Sequence, residues 1–443
     1  MAQTPDAIEI RQYQVGFGDC YLLSFAYGPR TGKRHVLVDF GTSELPRGGG
    51  RGKPADYMAQ VARHIAKTCG GHLTAVVLTH RHLDHISGFA TDGSAGDAGR
   101  IIKDLAPDVV LQPWTEDPDA ARDARSATRD ASRSPKSVVA GLTAIRDVAR
   151  MISEVAQRPP AWMTPLLRRE LGFIGQTNIS NESAVRNLIA MGKARGATAV
   201  WAHHGSPSGL EAHLPGVKVH VLGPPDLTQS EAIRSMRKTD PDQFWFSLAG
   251  PQSVRDRNPL DRGFARDGSG GTQPRVPIQG RWFRDRLDRM RGQQLLEIVR
   301  TLDDQMNNTS LVLLFEIPGM GRKLLFPGDA QIENWSYALQ DAPDAEKTRA
   351  LLADVDVYKV GHHGSLNATP RQLLWDHFRK RSTGRLHTLL STLPGKHGHT
   401  QNNTEVPRKP LLKALSTETA LLNTNDKKFS ASGQLCHVLP IKA

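Results

Sequence analysis

Short apolar runs alternate with turn-forming residues along most of the chain, and that rhythm predicts strands. Nine runs stand out: "CYLLSFAY" (20–27), "RHVLVDFG" (34–41), "LTAVVLTH" (73–80), "VKVHVLGP" (217–224), "SLVLLFEIP" (310–318), "KLLFPGDA" (323–330), "VDVYKVGHH" (355–363), "LHTLLST" (386–392) and "TALLNTN" (419–425). Many are continuously apolar, which is the pattern of strands covered on both faces. Helical periodicity falls between some of them, so the expected class is α/β or α+β.

Two stretches break the rhythm. Residues 91–196 read as polar loops and helices, with "VVAGLTAIRDVARMISEVAQ" (138–157) as one helix. Residues 226–280 are richer in Gly, Pro, Arg and Asp, and "GFARDGSGGTQPRVP" (263–277) reads as a loop. A helical pattern returns over 281–304, with Phe283, Leu287, Met290, Ile298 and Leu302 near one face. The expected organisation is a single domain over 1–443 with a helical insertion at 91–196 and a basic loop insertion at 226–280. One short internal echo appears: "AHHGSPS" (202–208) against "GHHGSLN" (361–367).

Composition narrows the class. The chain has 443 residues, 38% hydrophobic and 23% charged, enough for a real core. Its apolar runs are too short to span a bilayer, and "MAQTPDAIEI" has no basic-then-apolar leader pattern. Cys20, Cys69 and Cys436 are far apart and odd in number, which fits a reducing compartment. A cytoplasmic protein with no membrane partner is therefore expected. Net charge is +12. Segment 359–443 holds thirteen Lys or Arg against four Asp or Glu, and segment 228–300 holds fourteen against nine. Such charge suits either an anionic partner or a solvated basic surface.

The chemistry concentrates in "LTHRHLDHISGF" (78–89), which packs His80, His82, Asp84 and His85 into six positions. Only 17 residues of the chain are histidine, so the cluster is not background. A strand ends at His80 and the chain turns through His85. On that turn His80 and His82 can face one metal while Asp84 and His85 face a second. Imidazole nitrogen and carboxylate oxygen suit zinc or a similar divalent ion.

"HRHLDHISG" resembles the signature of the metallo-β-lactamase fold, an αββα sandwich of two mixed sheets with helices outside. "VGFGDCYLLSF" and "HVLVDFG" resemble its opening strands, including Asp39. "LLFPGDA" resembles the Gly-Asp strand end whose carboxylate, here Asp329, bridges both metals. "VYKVGHHGS" resembles the last metal motif, carried by His362 or His363, with His362 taken as the ligand. "VGFGD", "VLGPP" (221–225), "NNTSLVLLFE" (307–316), "KVGHHGS" (359–365) and "GKHGHTQNNTEVPRKPLLKAL" (395–415) narrow the resemblance to the hydrolase domain of ComEC-type DNA-uptake proteins and its soluble relatives. The resemblance covers about 8–440 apart from the two insertions. One departure is that Asn307 stands where much of the wider superfamily places a metal histidine. His203 and His204, after another strand, either supply that ligand or act on the surface or substrate side.

The resemblance implies a hydrolase with two divalent ions, Zn²⁺ or Mn²⁺, held by His80, His82, Asp84, His85, Asp329 and His362. Asp84 would also orient the attacking water, and His397 or His399 would protonate the leaving oxygen. Asn307, Asn308, His363, Ser365, Arg408 and Lys409 are the expected substrate contacts. A fold does not choose its substrate. The basic charge and the nuclease-like resemblance favour a phosphodiester in DNA. Other readings are a small ester, lactone or nucleotide as substrate, or a subunit whose insertions dock a partner protein. Soluble relatives in bacterial defence systems make an antiviral effector a further expectation. The chain has no G-x-x-x-x-G-K-[ST] motif, so any energy-dependent control would come from another protein.

Overall fold

The computed structural model describes residues 3–46, 54–92, 96–118, 182–230, 306–380, 386–397, 405–427, 429 and 432–442. These residues form a mixed α and β structure built on two sheets. The first sheet contains β1 (Ala7–Tyr13), β2 (Cys20–Ala26), β3 (Lys33–Phe40), β4 (Ala75–Val77), β5 (Val109–Pro113) and β6 (Thr198–Ala202). The second contains β7 (Lys218–Gly223), β8 (Val312–Ile317), β9 (Arg322–Phe326), β10 (Val357–Lys359), β11 (His387–Leu390) and β12 (Ala420–Asn423). A last strand, β13 (Cys436–Lys442), closes the first sheet beside β1.

Strand order is β13-β1-β2-β3-β4-β5-β6 in the first sheet and β12-β11-β10-β9-β8-β7 in the second. From β1 to β3 the pairings are antiparallel, and from β3 to β6 they are parallel. The second sheet repeats that series: antiparallel from β7 to β9, then parallel to β12. In this repeat β3 corresponds to β9 and β4 to β10. The correspondence decides where the site forms.

Alternation along each strand builds the layers. Val36, Val38, Val77 and Leu111 point between the sheets and meet Leu313, Phe315, Leu324, Phe326 and Val357. Leu37, Val76 and Val110 point the other way. They pack on helices α1 (Pro54–Thr68), α3 (Gly96–Asp104) and α4 (Glu182–Gly192) through Val61, Ile65, Ile102 and Leu188. On the far side, Leu314, Leu325, Tyr358 and Leu390 meet Trp335, Leu352, Leu411 and Leu415 of α5 (Ile332–Ser336), α6 (Ala345–Ala353) and α7 (Lys409–Glu418). Both sheets are therefore covered on both faces, as the continuous apolar runs required.

All nine expected strands are present, most of them a few residues shorter. Three strands went unseen, β1, β5 and β13. β1 and β13 bury alternate residues only, and Glu9, Arg11 and Pro440 interrupt their apolar pattern. Pro440 is tolerated because β13 lies at the sheet edge. Residues 91–196 are not wholly an insertion. They supply α3, α4 and the fully buried β5, which sits between β4 and β6. The helical expectations over 138–157 and 281–304 lie outside the described residues, as do residues 231–280 of the second stretch. The three cysteines are buried and unpaired. Among the described residues no helix is long and apolar enough to cross a membrane.

His35 on β3 yields a test of this core. It is buried, with its Nδ1 2.9 Å from the Ser24 hydroxyl on β2. Burial, helped by the positive charges of Lys33 and Arg11, pushes its pKa down to about 4. The unfolded chain takes up this proton near pH 6.5, before the folded one does. The group's contribution is thus complete above about pH 6.5 and is lost as pH falls toward 4, at roughly 1.4 kcal/mol per pH unit. Urea unfolding of the wild type against Ser24→Ala/His35→Leu should show a shallower pH slope in the variant over that window. Equal slopes would exclude His35 as a source.

Candidate metal centre

The C-terminal ends of β3, β4, β9 and β10 converge where the two sheets meet. Asp39 ends β3 in a left-handed conformation, with φ 53°. β4 runs into His80, and the next turn starts α2 (Leu83–Ile86), which carries Asp84 and His85. This helix lies directly on the end of β3. A Cβ at Gly41 would come within 2.5 Å of the Asp84 and His85 backbone, so only glycine fits. Gly328 plays the same part across the joint: its φ is 56°, and a Cβ there would meet the Thr79 side chain at 2.7 Å. Asp329 follows it. His362 and His363, after β10, are also left-handed, with φ 45° and 53°. Strained backbone of this kind is held only where surrounding contacts over-determine it.

Three histidines share one arrangement. His80 Nδ1 lies 3.2 Å from the Thr79 hydroxyl, which itself donates to Asp39 at 2.7 Å. His85 Nδ1 donates to Asp39 Oδ2 at 2.8 Å. His363 Nδ1 donates to the Ser391 carbonyl at 2.9 Å. In each case Nδ1 is committed outward and Nε2 faces the centre. His80 Nε2 lies 2.9 Å from His82 Nδ1, His85 Nε2 lies 3.1 Å from Asp329 Oδ2, and His363 Nε2 lies 3.0 Å from Asp84 Oδ2. Outward hydrogen bonds that fix the tautomer are what metal-ligating histidines have. The ligand atoms of His80, His85 and Asp329 lie within 4.8 Å of one another, and so do those of Asp84, His85 and His363.

Burial sets the electrostatics. His80 is held well below its usual pKa by desolvation and by the neighbouring His85 and His82 charges, so it is neutral. Burial alone would lower His85 too, but the carboxylates of Asp329 and Asp39 outweigh it and raise its pKa. His363 is raised, against the same penalty, by Asp84 and Asp19. For Asp84 desolvation is overcome by the His363 hydrogen bond and the His85 charge, and its pKa falls. Asp329 is likewise held down against desolvation by His85 and Lys359. Both carboxylates are therefore ionised.

Of the expected ligands, His80, Asp84, His85 and Asp329 fall in these groups, whereas His82 meets His80 but joins neither group. His363, not His362, supplies the ring that reaches Asp84 and His85. The left-handed pair of residues turns the His363 ring inward, whereas His362 contributes its backbone N–H to Asp329 Oδ1 at 3.1 Å. His397 is half-buried, and its ring packs 5.1 Å from Phe17, which also lies 4.2 Å from His363. Desolvation and the His362 charge push the His397 pKa down to about 3. His399 lies outside the described residues.

Asn307 and Asn308 are fully buried beside the centre. Their loop is tied to Asp329 through Ser310, whose hydroxyl accepts the Asp329 N–H at 3.2 Å. Asn308 accepts from Asn334, whereas the Asn307 carboxamide makes no hydrogen bond among the described residues. Ser365 is buried and donates to Asn367. Arg408 departs from its expected role as an open substrate contact. It is 3% exposed and paired with Glu405 at 2.9 Å. Lys409, next to it, is exposed. His204 has both ring nitrogens engaged, with the Leu222 carbonyl and Asp344 each at 2.9 Å. Neither His203 nor His204 joins the ligand groups among the described residues.

Several contributors were not foreseen: Asp19, Thr79, Lys359 and the Arg81–Glu116 pair. Lys359 left a trace, since it is a lone charge inside an apolar strand. No protein-family model matches the chain, and no curated protein matches it.

Arg81 and Glu116 can be tested directly. Arg81 sits inside the histidine motif, donates through Nε to Glu116 Oε1 at 2.6 Å and pairs through Nη2 with Oε2. Both side chains are almost wholly buried. Removing one member strands a buried charge, so Glu116→Ala should destabilise by about 3–5 kcal/mol. Arg81→Met/Glu116→Leu should recover most of that loss in urea unfolding. A Glu116→Ala variant as stable as the wild type would show that the pair is not buried in solution.

Proposed function

We propose that the protein is a hydrolase of the metallo-β-lactamase type that uses two divalent ions, Zn²⁺ or Mn²⁺, and cleaves phosphodiesters in nucleic acid, with DNA as the leading substrate. The carrying observation is the set of buried histidines that commit Nδ1 outward and turn Nε2 toward each other and toward ionised carboxylates. That donor set suits a divalent cation far better than a dry core, where unpaired charge is costly. His80, His82 and Asp329 would hold one ion; Asp84, His85, His363 and Asp329 would hold the other. The four-layer architecture agrees with the sandwich that the motif resemblance implies.

Two bound ions supply positive charge that acidifies water and offsets the charge developing on a phosphoryl oxygen. The chain's own groups do the rest. Asp84 is ionised, and it orients the attacking water. Asp39 and Thr79 keep His80 and His85 in the tautomer that leaves Nε2 available. His397 is neutral near pH 7, and its ring N–H is the donor offered to the leaving oxygen. The Asn307 carboxamide is buried and uncommitted, and it serves as a hydrogen-bond donor to a substrate oxygen.

Substrate class rests on charge. The +12 balance, concentrated in 359–443, suits a polyanion. With Arg408 held by Glu405, the exposed pair Lys409 and Lys413, one turn apart on α7, is the better candidate surface.

Elemental analysis should find two divalent ions per wild-type chain and clearly fewer in Asp84→Ala/His85→Ala. Equal, near-zero content in both would remove the metal reading. Incubation with plasmid, single-stranded DNA and RNA, with Mn²⁺, Zn²⁺ or a chelator, should show metal-dependent cleavage of DNA. Turnover of a lactone or simple ester instead would select the small-substrate reading.

DNA binding should survive without catalysis. Asp329→Ala should lose cleavage but retain affinity that falls steeply with salt, because lysine and arginine displace condensed cations from phosphate. Adding Lys409→Ala/Lys413→Ala should weaken binding on all sequences alike and make the salt slope shallower by about one to two units. Salt-independent filter binding would exclude the basic surface as the nucleic-acid contact.

A further inference from the structure

Lys359 is 2% exposed and sits at the end of β10, in a strand otherwise apolar and buried. Its ammonium makes three contacts. It lies 2.5 Å from Asp19 Oδ2, 2.9 Å from the Gly328 carbonyl and 3.1 Å from Asp329 Oδ1. Two of the three grip the Gly328–Asp329 step at the end of the neighbouring strand. The third reaches the other sheet, because Asp19 immediately precedes β2. Asp19 is itself anchored through its backbone: its N–H donates to the Asp84 carbonyl at 2.9 Å, and its carbonyl accepts the Gly41 N–H at 3.0 Å. A chain of contacts therefore runs from the Asp84 loop through Asp19 and Lys359 to Asp329.

The two oxygens of Asp329 are consequently unequal. Oδ1 receives Lys359 and the His362 N–H, both at 3.1 Å. Oδ2 faces His85 Nε2 at 3.1 Å and lies 3.9 Å from His363 Nε2. We infer that Lys359, held by Asp19, is a positioning residue that occupies Asp329 Oδ1, turns Oδ2 toward the histidines and locks the carboxylates of the two sheets in register. The inference rests on the metal reading above and adds to it a residue that ligates nothing.

Two rival roles make different demands. As a mere core ion pair, Lys359 would affect folding and leave metal binding alone. As an independent metal group, Asp19 would act without Lys359. Its Oδ2 does lie 3.7 Å from His85 Nδ1, but that nitrogen already donates to Asp39, and Oδ2 already receives the ammonium.

Cobalt(II) titration of the full-length, metal-stripped protein separates these roles, read by chelator competition and by the visible absorption band. Thermal unfolding of each metal-free variant checks the fold. Lys359→Met should bind cobalt at least tenfold more weakly and shift or weaken the band, a loss of the size seen when a group supporting a ligand is removed. Asp19→Asn, nearly isosteric, should change both readouts in the same direction but less. The double variant should be no worse than Lys359→Met, because both act through one contact. Wild-type or tighter affinity in a folded Lys359→Met, with an unchanged band, would overturn the inference, since the ammonium would then only pair or only repel cations. Additive losses would overturn it in favour of Asp19 acting alone. If Lys359→Met does not fold, an unchanged affinity and band in Asp19→Asn overturns it. A wild type that takes up no cobalt removes the metal reading itself, and the inference with it, which is a different result from a wild type and variant that bind equally.

Discussion

A carboxylate withdrawn from water must be paired, and Asp19, Asp39, Asp84 and Asp329 are all withdrawn at one joint between two sheets. The surrounding structure answers that constraint. Asp39 takes Thr79 and His85, Asp84 takes His363, and Asp329 takes His85 and Lys359, which also satisfies Asp19. The result is a cluster in which imidazoles change protonation according to their carboxylate neighbours. His80 has no carboxylate on its ring and stays neutral, while His85 and His363 are driven toward their charged forms.

The topology explains why the cluster forms there. From β1 in the first sheet and from β7 in the second, the strands run two antiparallel steps and then three parallel ones, so equivalent parallel strands end side by side when the sheets face each other. Asp39 at the end of β3 has its counterpart in Asp329 after β9. The histidine turn after β4 has its counterpart in the His-His-Gly-Ser turn after β10. The cluster's side chains are thus drawn from four strand ends far apart in sequence, and rigid strands rather than loops set their spacing. Close approach then depends on small residues. Gly41 lets the turn after β4 lie on the end of β3, Gly328 lets the end of β9 reach Thr79 of the other sheet, and any side chain at either would push these neighbours apart.

Much of this was legible in the order of residues. Continuous apolar runs announced strands covered on both faces, and the density of histidine in 78–89 announced a centre. The alternating strands β1 and β13 were hidden because about half their residues are not buried. β5 was hidden because a five-residue buried run inside a polar segment carries little periodic signal. The choice between His362 and His363 was also beyond the sequence. Both have the same chemistry, and only the left-handed turn decides which ring faces Asp84 and His85. Arg408 shows the converse limit. Its charge counts toward the basic segment, yet Glu405 and the packing around it withhold that charge from the surface.

The sequence by itself determined which residues could act: the histidines, the carboxylates, the lone lysine in an apolar strand, and the glycines that permit tight approach. Those are properties of side-chain chemistry and local pattern. Only the tertiary structure decided which of them meet. Asp19 is 340 positions from Lys359, and Asp84 is 279 positions from His363, and no local rule connects such distances. Their contact follows from the pairing of sheets, because register and strand direction bring those atoms within hydrogen-bond reach. Burial at that joint then turns ordinary acids and imidazoles into a charged, mutually oriented centre.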